Sequence, residues 1–264
     1  MIDLLNKIAI SATKYLNEIK DEKDLDKVVG VHSGDTTRVI DKKSEEYIFQ
    51  LLNDTGLKFK FVSEESGVII PSNSYDYVAL IDPLDGSNNF VLGVPWYSIS
   101  VSIYGKSAKG LLESLGGFVS HISIDKIYSY DTSTAYVNGS PLKIEMIGNS
   151  PSNVVITYFD ERGIDKILKI LSVLKGYKVR SFGSASLDMI LTCMGKAGLY
   201  FDIRGKLRNV DIAASANFCK RLNSIPSTLN GKEISSGIDD IYKIDEIIMS
   251  RDQSLMKNVY SIFS

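Results

Sequence analysis

Two short acidic loops, each entered by an apolar segment that reads as a strand, constrain this chain more than any other feature. The first loop contains Glu64 and Glu65, and the second spans residues 82–87 with the sequence Asp-Pro-Leu-Asp-Gly-Ser. Pro83 fixes its own φ angle and Gly86 tolerates backbone angles that other residues avoid, so the second loop can hold both aspartates in fixed directions. Acid-rich loops at strand ends favour hard cations such as Mg²⁺, which bind oxygen ligands and retain water.

The second loop also has a simpler interpretation. A Pro-x-Asp-Gly sequence is a common surface turn, because these residues suit turn geometry without any ligand. The Glu64-Glu65 pair a short way upstream weakens that interpretation, since it places four carboxylates in two neighbouring loops. The sequence contains no Walker loop, dinucleotide-binding fingerprint or basic-aromatic face that would indicate a different chemistry.

Composition limits the class of protein. The chain has 264 residues, 44% of them hydrophobic and 23% charged, which fits one large domain or two closely packed ones. Its formal net charge of −2 disfavours general nucleic-acid binding, and no apolar run approaches the ~20 residues of a membrane span. The N-terminus lacks the pattern of a signal peptide, so we expect a cytoplasmic protein. For Cys193 and Cys219, both within apolar helical patterns, we expect buried thiols, with a disulfide left open.

Hydrophobic periodicity predicts an α+β fold that changes character along the chain. An amphipathic helix is predicted over residues 2–19, and a polar, mobile loop over residues 21–37. In the strand predicted at 97–104, alternating serines are expected to face away from the core. Strand-rich sequence continues to about residue 142, and strands and helices alternate afterwards. We therefore predict an α+β half at 1–145 and an α/β half at 146–264.

Four segments of the chain together resemble the Mg²⁺-dependent inositol monophosphatase and fructose-1,6-bisphosphatase superfamily. The last of them departs from the family pattern, because Val210 and Ser215 replace a tryptophan and a glycine. The resemblance runs in order from about Asp35 to the C-terminus and implies a layered α-β-α-β-α sandwich. The segments are 37–41, 63–66, 82–90 and 209–215.

The resemblance implies two or three Mg²⁺ ions, with Mn²⁺ possible, and assigns ligands to them. Glu64, Asp82 and the main-chain carbonyl of Leu84 would bind the first ion. Asp82, Asp85 and Asp211 would bind the second, so that Asp82 bridges both. Two divalent ions about 3.5–4 Å apart can activate water and stabilise a leaving oxygen.

The catalytic roles implied by the resemblance fall on three further side chains. Asp41 and Ser87 would orient and deprotonate a water held by the metals, and Glu65 would lie near a third, weaker ion. A covalent Ser87 nucleophile is the competing hypothesis.

The substrate is expected to lie between two backbone segments. One is Asp85-Gly86-Ser87, and the other is Gly183-Ser184-Ala185, which starts a helix whose free N–H groups would bind an anion. Three arginines flank the second segment in sequence: Arg180, Arg204 and Arg208. Arg204 stands where animal inositol monophosphatases have a glutamate that contacts inositol. We therefore expect Arg204, with Arg180, to bind a second phosphate.

These features favour a dual activity on fructose 1,6-bisphosphate and inositol 1-phosphate, like that of the archaeal enzymes of the family. The alternatives are an inositol-only phosphatase, a 3′-phosphoadenosine 5′-phosphate phosphatase, and a non-enzymatic module that binds metal and phosphate. The resemblance also implies a homodimer or higher homo-oligomer. Its expected partner is a small sugar or inositol phosphate, without nucleic acid or membrane.

Overall fold

A computed structural model of the protein describes residues 1–32, 35–147 and 152–263. Helix α1 begins and ends at the predicted positions, because its apolar residues recur at helical spacing. The α-helices of the described residues are α1 (Ile2–Ile19), α2 (Val39–Asn53), α3 (Ser87–Leu92), α4 (Ile164–Val173), α5 (Ala185–Cys193), α6 (Asn209–Lys220) and α7 (Gln253–Phe263).

The strands form two main sheets and two short antiparallel pairs. Pairs β1–β2 and β14–β15 stand apart from the sheets. The strands are β1 (Val28–His32), β2 (Asp35–Arg38), β3 (Phe59–Ser63), β4 (Gly67–Ile69), β5 (Tyr77–Asp85), β6 (Ser98–Gly105), β7 (Gly116–His121), β8 (Lys126–Tyr130), β9 (Ala135–Val137), β10 (Ser140–Pro141), β11 (Val154–Tyr158), β12 (Lys178–Arg180), β13 (Leu199–Asp202), β14 (Leu207–Arg208), β15 (Lys243–Ile244) and β16 (Ile247–Met249).

The elements stack in five layers, which confirms the predicted α-β-α-β-α sandwich. The large sheet has the order β10-β9-β8-β7-β6-β5-β3-β4, and the smaller sheet has the order β12-β11-β13-β16. Helices α1 and α2 pack on the outer face of the large sheet. Helices α5 and α6 lie between the two sheets, and α4 and α7 cover the outer face of the smaller sheet.

Strand β6 is buried on both faces of the large sheet. The serines predicted to face away from the core are instead buried, with Ser98 and Ser102 fully inaccessible. The prediction was wrong because α5 and α6 cover the second face of the sheet as α1 and α2 cover the first. Hydrogen bonds satisfy two of these hydroxyls, between Ser102 and Tyr130 at 2.7 Å and between Ser98 and Ser186 at 2.8 Å, whereas the buried Ser100 hydroxyl has no hydrogen-bond partner among the described residues.

Two further expectations need correction. The segment predicted as a mobile loop at 21–37 contains the antiparallel pair β1–β2, although residues 33 and 34 of that prediction lie outside the described residues. Cys193 and Cys219 are not free thiols, because a disulfide joins them between α5 and α6. The two helices bring these side chains together although 26 residues separate them in sequence.

The predicted division near residue 145 falls between the strands of the two main sheets. The large sheet ends with β10, and the smaller sheet begins with β11; residues 148–151 between them lie outside the described part of the chain. Helix α6 nevertheless packs against the large sheet, so the two halves share one core, and their assignment as domains stays a prediction. None of the described helices is long and apolar enough to cross a membrane.

Candidate active site

Three carboxylates that are distant in sequence meet at one place in the fold. Glu64, Asp82 and Asp211 each offer an oxygen, and these oxygens all lie within 4.8 Å of one another. Glu64 follows β3, Asp82 lies within β5, and Asp211 lies in the first turn of α6. Asp82 and Asp211 are buried, and the Glu64 side chain is only 16% exposed. We call these three residues the acidic cluster.

A bulge in β5 determines which way its aspartates point. Asp82 pairs with Ser100 of β6 and Asp85 pairs with Ser98. Between these two pairs, β5 therefore contains one more residue than β6. Residues two apart on a strand face the same side, and cross-strand partners share that side. The bulge therefore places both aspartates on the face that α5 and α6 cover, where regular alternation would separate them.

Helix α2 supports both acidic loops from the other side. The Ser44 hydroxyl donates to the carbonyl of Pro83 at 2.7 Å. The buried Glu45 carboxylate accepts from the Ser66 N–H at 3.1 Å and also from the Ser66 hydroxyl. Sequence reasoning missed Ser44 and Glu45, although their position one turn after Asp41 on a predicted helix was a usable signal.

Helices α2 and α6 begin in the same way. The Arg38 N–H donates to Asp41 at 2.7 Å, and the Arg208 N–H donates to Asp211 at 2.7 Å. A carboxylate in the first turn is favoured by the exposed N–H groups and the positive end of the helix dipole. Asp41 and Asp211 are thus held in their positions by the helices they begin, and both are buried.

Asp85 lies outside the acidic cluster and contacts the start of α5. Its carboxylate accepts from the Ser184 hydroxyl at 2.6 Å, from the Ala185 N–H at 3.1 Å, and from both the N–H and the hydroxyl of Ser186, the former at 2.8 Å. In the segment Gly183-Ser184-Ala185, where we expect free N–H groups for a substrate anion, the Ala185 N–H is therefore occupied by Asp85. The protein's own carboxylate serves as the anion at this helix start.

The loop after β5 and the loop before α5 approach so closely that glycine is required. A Cβ atom at Gly86, whose φ is +90°, would lie 3.0 Å from the Trp96 carbonyl oxygen and 3.1 Å from that of Gly183. The Asn89 side-chain amide joins the same loops by donating to the carbonyls of Trp96 at 2.7 Å and Phe182 at 2.6 Å. Ser87 begins α3 beside this junction and is half-buried, as is Glu65 in the first loop.

Arg208 is the cation paired with the acidic cluster. Its Nη2 atom forms an ion pair with Glu64 and another with Asp211 Oδ1, the latter at 3.4 Å. Arg208 flanks the substrate segment in sequence, but no sequence pattern assigned it a role. Its spacing of three residues before Asp211, at a helix start, was the available signal.

Burial dominates the electrostatics of the acidic cluster. Despite the attraction of Arg208, burial raises the pKa of Glu64 to about 8, and burial raises the pKa of Asp211 to about 6. Burial, with the nearby charges of Glu64, Asp85 and Asp211, raises the pKa of Asp82 well above its usual range. Without a cation, the cluster therefore retains protons near neutral pH.

The acidic cluster fits a hard divalent cation. Its donors are carboxylate oxygens, which Mg²⁺ and Mn²⁺ prefer. No hydrogen bond from the described residues reaches Asp211 Oδ1, although that atom is buried. An additional positive charge would use this acceptor and would offset the repulsion that the raised pKa values report.

Arg204 and Arg180, which we expect to bind a second phosphate, both have contacts within the protein. The Arg204 guanidinium is bound to the carboxylate of Asp202, through Nε at 3.1 Å and Nη2 at 2.5 Å, and lies 4.6 Å from the centroid of the Tyr158 ring. One edge of the guanidinium, Nε with Nη2, is thus taken by a carboxylate that is itself 1% exposed, and binding of a second phosphate stays a prediction. Arg180 is exposed on β12, and its Nη1 donates to the carbonyl of Val179.

A buried polar network lies behind the Gly183 loop. The Asp188 carboxylate accepts from Trp96 Nε1 at 2.9 Å and from the Tyr158 hydroxyl at 2.5 Å. The Gly183 N–H in turn donates to the Tyr158 hydroxyl. Arg204, stacked on Tyr158, therefore supports the loop indirectly, through the position of that ring.

This chain is similar to known proteins along almost its whole length. The Inositol monophosphatase family matches residues 2–261. The chain is 30% identical to the inositol-1-monophosphatase of Aeropyrum pernix, over 95% of this chain and 92% of that protein. It is 32% identical to the fructose-1,6-bisphosphatase/inositol-1-monophosphatase of Methanocaldococcus jannaschii, over 88% of each. A solved inositol monophosphatase-fructose 1,6 bisphosphatase shares its fold with a TM-score of 0.80 at 30% identity, covering 98% of both chains.

The ion pair of Arg204 with Asp202 generates a prediction about substrate selectivity. Replacing Arg204 with glutamine leaves the buried Asp202 carboxylate without its guanidinium, which costs about 1.5–3 kcal/mol of unfolding free energy. Because Asp202 already takes the Nε–Nη2 edge of the guanidinium, the specificity constants for fructose 1,6-bisphosphate and inositol 1-phosphate should change by the same factor. The added Asp202→Asn substitution should recover part of the stability. A loss confined to the bisphosphate would show instead that the guanidinium leaves Asp202 for a second phosphate.

The raised pKa values predict how metal-free stability depends on pH. The pKa of Glu64 is about 8 in the folded protein, against an ordinary value of 4.5. The folded state then binds a proton that the unfolded state has lost, so stability falls as pH rises from about 5 to about 8. With EDTA present, the melting temperature should decrease across this range, and Mg²⁺ should raise it more at the alkaline end. Glu64→Gln should flatten the dependence, whereas a melting temperature that rises with pH in wild type would contradict the assignment.

Proposed function

This chain belongs to the inositol monophosphatase family, and on that premise we propose that it hydrolyses fructose 1,6-bisphosphate and inositol 1-phosphate with the help of Mg²⁺. The observation that carries the proposal is the acidic cluster, in which Glu64, Asp82 and Asp211 offer oxygens within 4.8 Å of one another. Both substrates are small phosphate monoesters, so one phosphatase site suits them. The names of the relatives from Aeropyrum pernix and Methanocaldococcus jannaschii support this pair of substrates.

The acidic cluster would hold the metal. Glu64 and Asp82, with the main-chain carbonyl of Leu84, would bind one ion, and Asp82 with Asp211 would bind a second. Asp85 would join the second ion through Oδ1, which accepts one hydrogen bond from the Ala185 N–H, while Oδ2 keeps its hydrogen bonds to the start of α5. Bound divalent ions would lower the pKa of water, orient the phosphoryl oxygens and stabilise the leaving oxygen. Mg²⁺ suits these ligands, and Mn²⁺ is the alternative.

Three further residues would handle the proton and the attacking water. The Asp41 carboxylate accepts a hydrogen bond from the N–H of Arg38, which holds it at the start of α2. Ser87, half-buried at the start of α3, would orient the water together with Asp41. Glu65 would contribute negative charge next to Glu64, where a third, weaker ion would be favoured.

Two closely held loops would bind the substrate. Gly86 and Gly183 lie backbone to backbone, and their lack of side chains lets the two loops approach each other closely. Ser184 and Ala185 would act indirectly, because their donors hold Asp85. The exposed Arg180 is the remaining candidate for a second phosphate, as a mobile contact. An inositol-only activity is the alternative that the pairing of Arg204 favours.

Asp82→Asn tests the metal-dependent function directly. Even outer residues of a metal site are worth 10–100-fold in activity or affinity, so loss of a shared ligand should lower phosphate release by about 100-fold or more. The assay compares fructose 1,6-bisphosphate, inositol 1-phosphate and 3′-phosphoadenosine 5′-phosphate at fixed Mg²⁺, and repeats each with excess EDTA. The matched control is Asp245→Asn, whose side chain is 86% exposed. Undiminished turnover in EDTA, or in Asp82→Asn, would contradict the proposal.

We also propose that the chain forms a homodimer through an apolar surface. On α4, Ile164, Leu168 and Leu171 are exposed at helical spacing, with Leu168 62% accessible. We call these three residues the α4 face. Contiguous exposed apolar surface of this kind is typical of protein–protein contacts. Val179 is also exposed, on β12 at the edge of the smaller sheet, which α4 covers.

A charge on the α4 face should disrupt the dimer. Leu168→Glu would bury an unpaired carboxylate at the contact, so light scattering after size-exclusion chromatography should give the mass of one chain instead of two. Ile10→Glu is the control, because Ile10 is similarly exposed but lies on α1. A dimer that survives Leu168→Glu would place the interface elsewhere, and a monomeric wild type would refute the homodimer.

A further inference from the structure

The guanidinium of Arg208 contacts two of the carboxylates to which the proposed function assigns a metal. It contacts the carboxylates of Glu64 and Asp211, two of the three members of the acidic cluster. Its side chain is only 17% exposed, so this ion pair is largely removed from water. Buried carboxylates need a cationic partner, because the solvation they lose is otherwise uncompensated.

Arg208 and a divalent cation would compete for the same carboxylates. The cluster oxygens lie within 4.8 Å of one another. Positive charges at such separations repel, and each would compete for the lone pairs of Glu64. The contact of Arg208 with Glu64 should therefore weaken when a divalent cation binds.

Loss of the Arg208 guanidinium would leave other anchors of the cluster in place. The Arg208 backbone N–H donates to Asp211 at 2.7 Å at the start of α6, in addition to the ion pair of its guanidinium with Asp211 Oδ1 at 3.4 Å. The backbone of Glu64 is held separately, since its N–H donates to the carbonyl of Ile81. These backbone contacts do not depend on the guanidinium, so they remain when the guanidinium moves toward solvent.

We propose that Arg208 is the internal counter-ion of the metal-free site, and that a divalent cation displaces its guanidinium from Glu64 on binding. This inference rests on the proposed metal site and adds to it a residue that sets metal affinity. Arg208 stabilises the empty cluster and, by the same contact, competes with the metal. Stability without metal and affinity for metal are then linked through one side chain.

Arg208→Gln separates the two effects in the full-length protein. The glutamine retains the backbone N–H and removes the charge. Without metal, its melting temperature should be lower than that of wild type. Mg²⁺ should bind about tenfold more tightly by calorimetry, since a charged hydrogen bond no longer has to be broken. Arg208→Lys, which keeps the charge, should bind Mg²⁺ with nearly the wild-type affinity.

Arg204→Gln is the matched control, because it also removes an arginine from a carboxylate pair. Its partner Asp202 is not part of the acidic cluster. It should therefore lower the melting temperature and leave Mg²⁺ affinity unchanged. Unchanged or weaker Mg²⁺ binding by Arg208→Gln would overturn the inference alone. Failure of wild type and Arg208→Gln alike to bind Mg²⁺ would overturn the proposed metal site.

A measurement on wild type covers the case in which Arg208→Gln does not fold. In a ¹⁵N spectrum of the arginine Nε–H groups, titration with Mg²⁺ should shift the Arg208 signal and leave that of Arg204 in place. An Arg208 signal that is unaffected at saturating Mg²⁺ would show that the guanidinium stays on Glu64, contrary to the inference.

Discussion

The carboxylates of the acidic cluster are close together and buried, so they repel one another when ionised. The surrounding structure has to hold them in place against this repulsion. Glu64, Asp82 and Asp211 come from three elements that would separate if each were free. The carboxylates are held by backbone contacts: the bulge of β5, the first turn of α6, and the pairing of the Glu64 N–H with β5. A metal site needs such rigidity, because its ligands must keep their positions before the cation binds.

The layers of the fold explain why that rigidity is available. The large sheet is covered on both faces, so its central strands cannot shift register without exposing apolar surface. Helix α2 fixes the acidic loops from one side through Ser44 and Glu45, while α5 and α6 close the other side. The site therefore lies where helices from both faces and the end of a central strand meet, and α2, β5, α5 and α6 each contribute at least one contact.

Sequence patterns were sufficient for the features that depend on local spacing. The helical periodicity of α1, the strand patterns of β5 and β6, and the identity of the acidic residues could all be read from short windows. What they could not show were contacts between distant segments. The pairing of Arg208 with Glu64 spans 144 residues, that of Asp85 with Ser184 spans 99, and no local pattern encodes either. The predictions for the β6 serines and for Cys193 and Cys219 were wrong for the same reason. Burial of the serines and pairing of the cysteines both depend on where α5 and α6 pack.

The central position of α6 has a consequence for how the chain folds during synthesis. Every residue from Asn209 to Cys219 is buried, and this helix completes the inner face of a sheet whose strands end by Pro141. The ribosome therefore delivers the whole large sheet well before the helix that covers it. Until α6 emerges, one face of the nascent sheet exposes its apolar side chains, and such surfaces are prone to aggregate. We expect the N-terminal half to depend on protection by chaperones during this interval, and to be unable to persist as an isolated fragment.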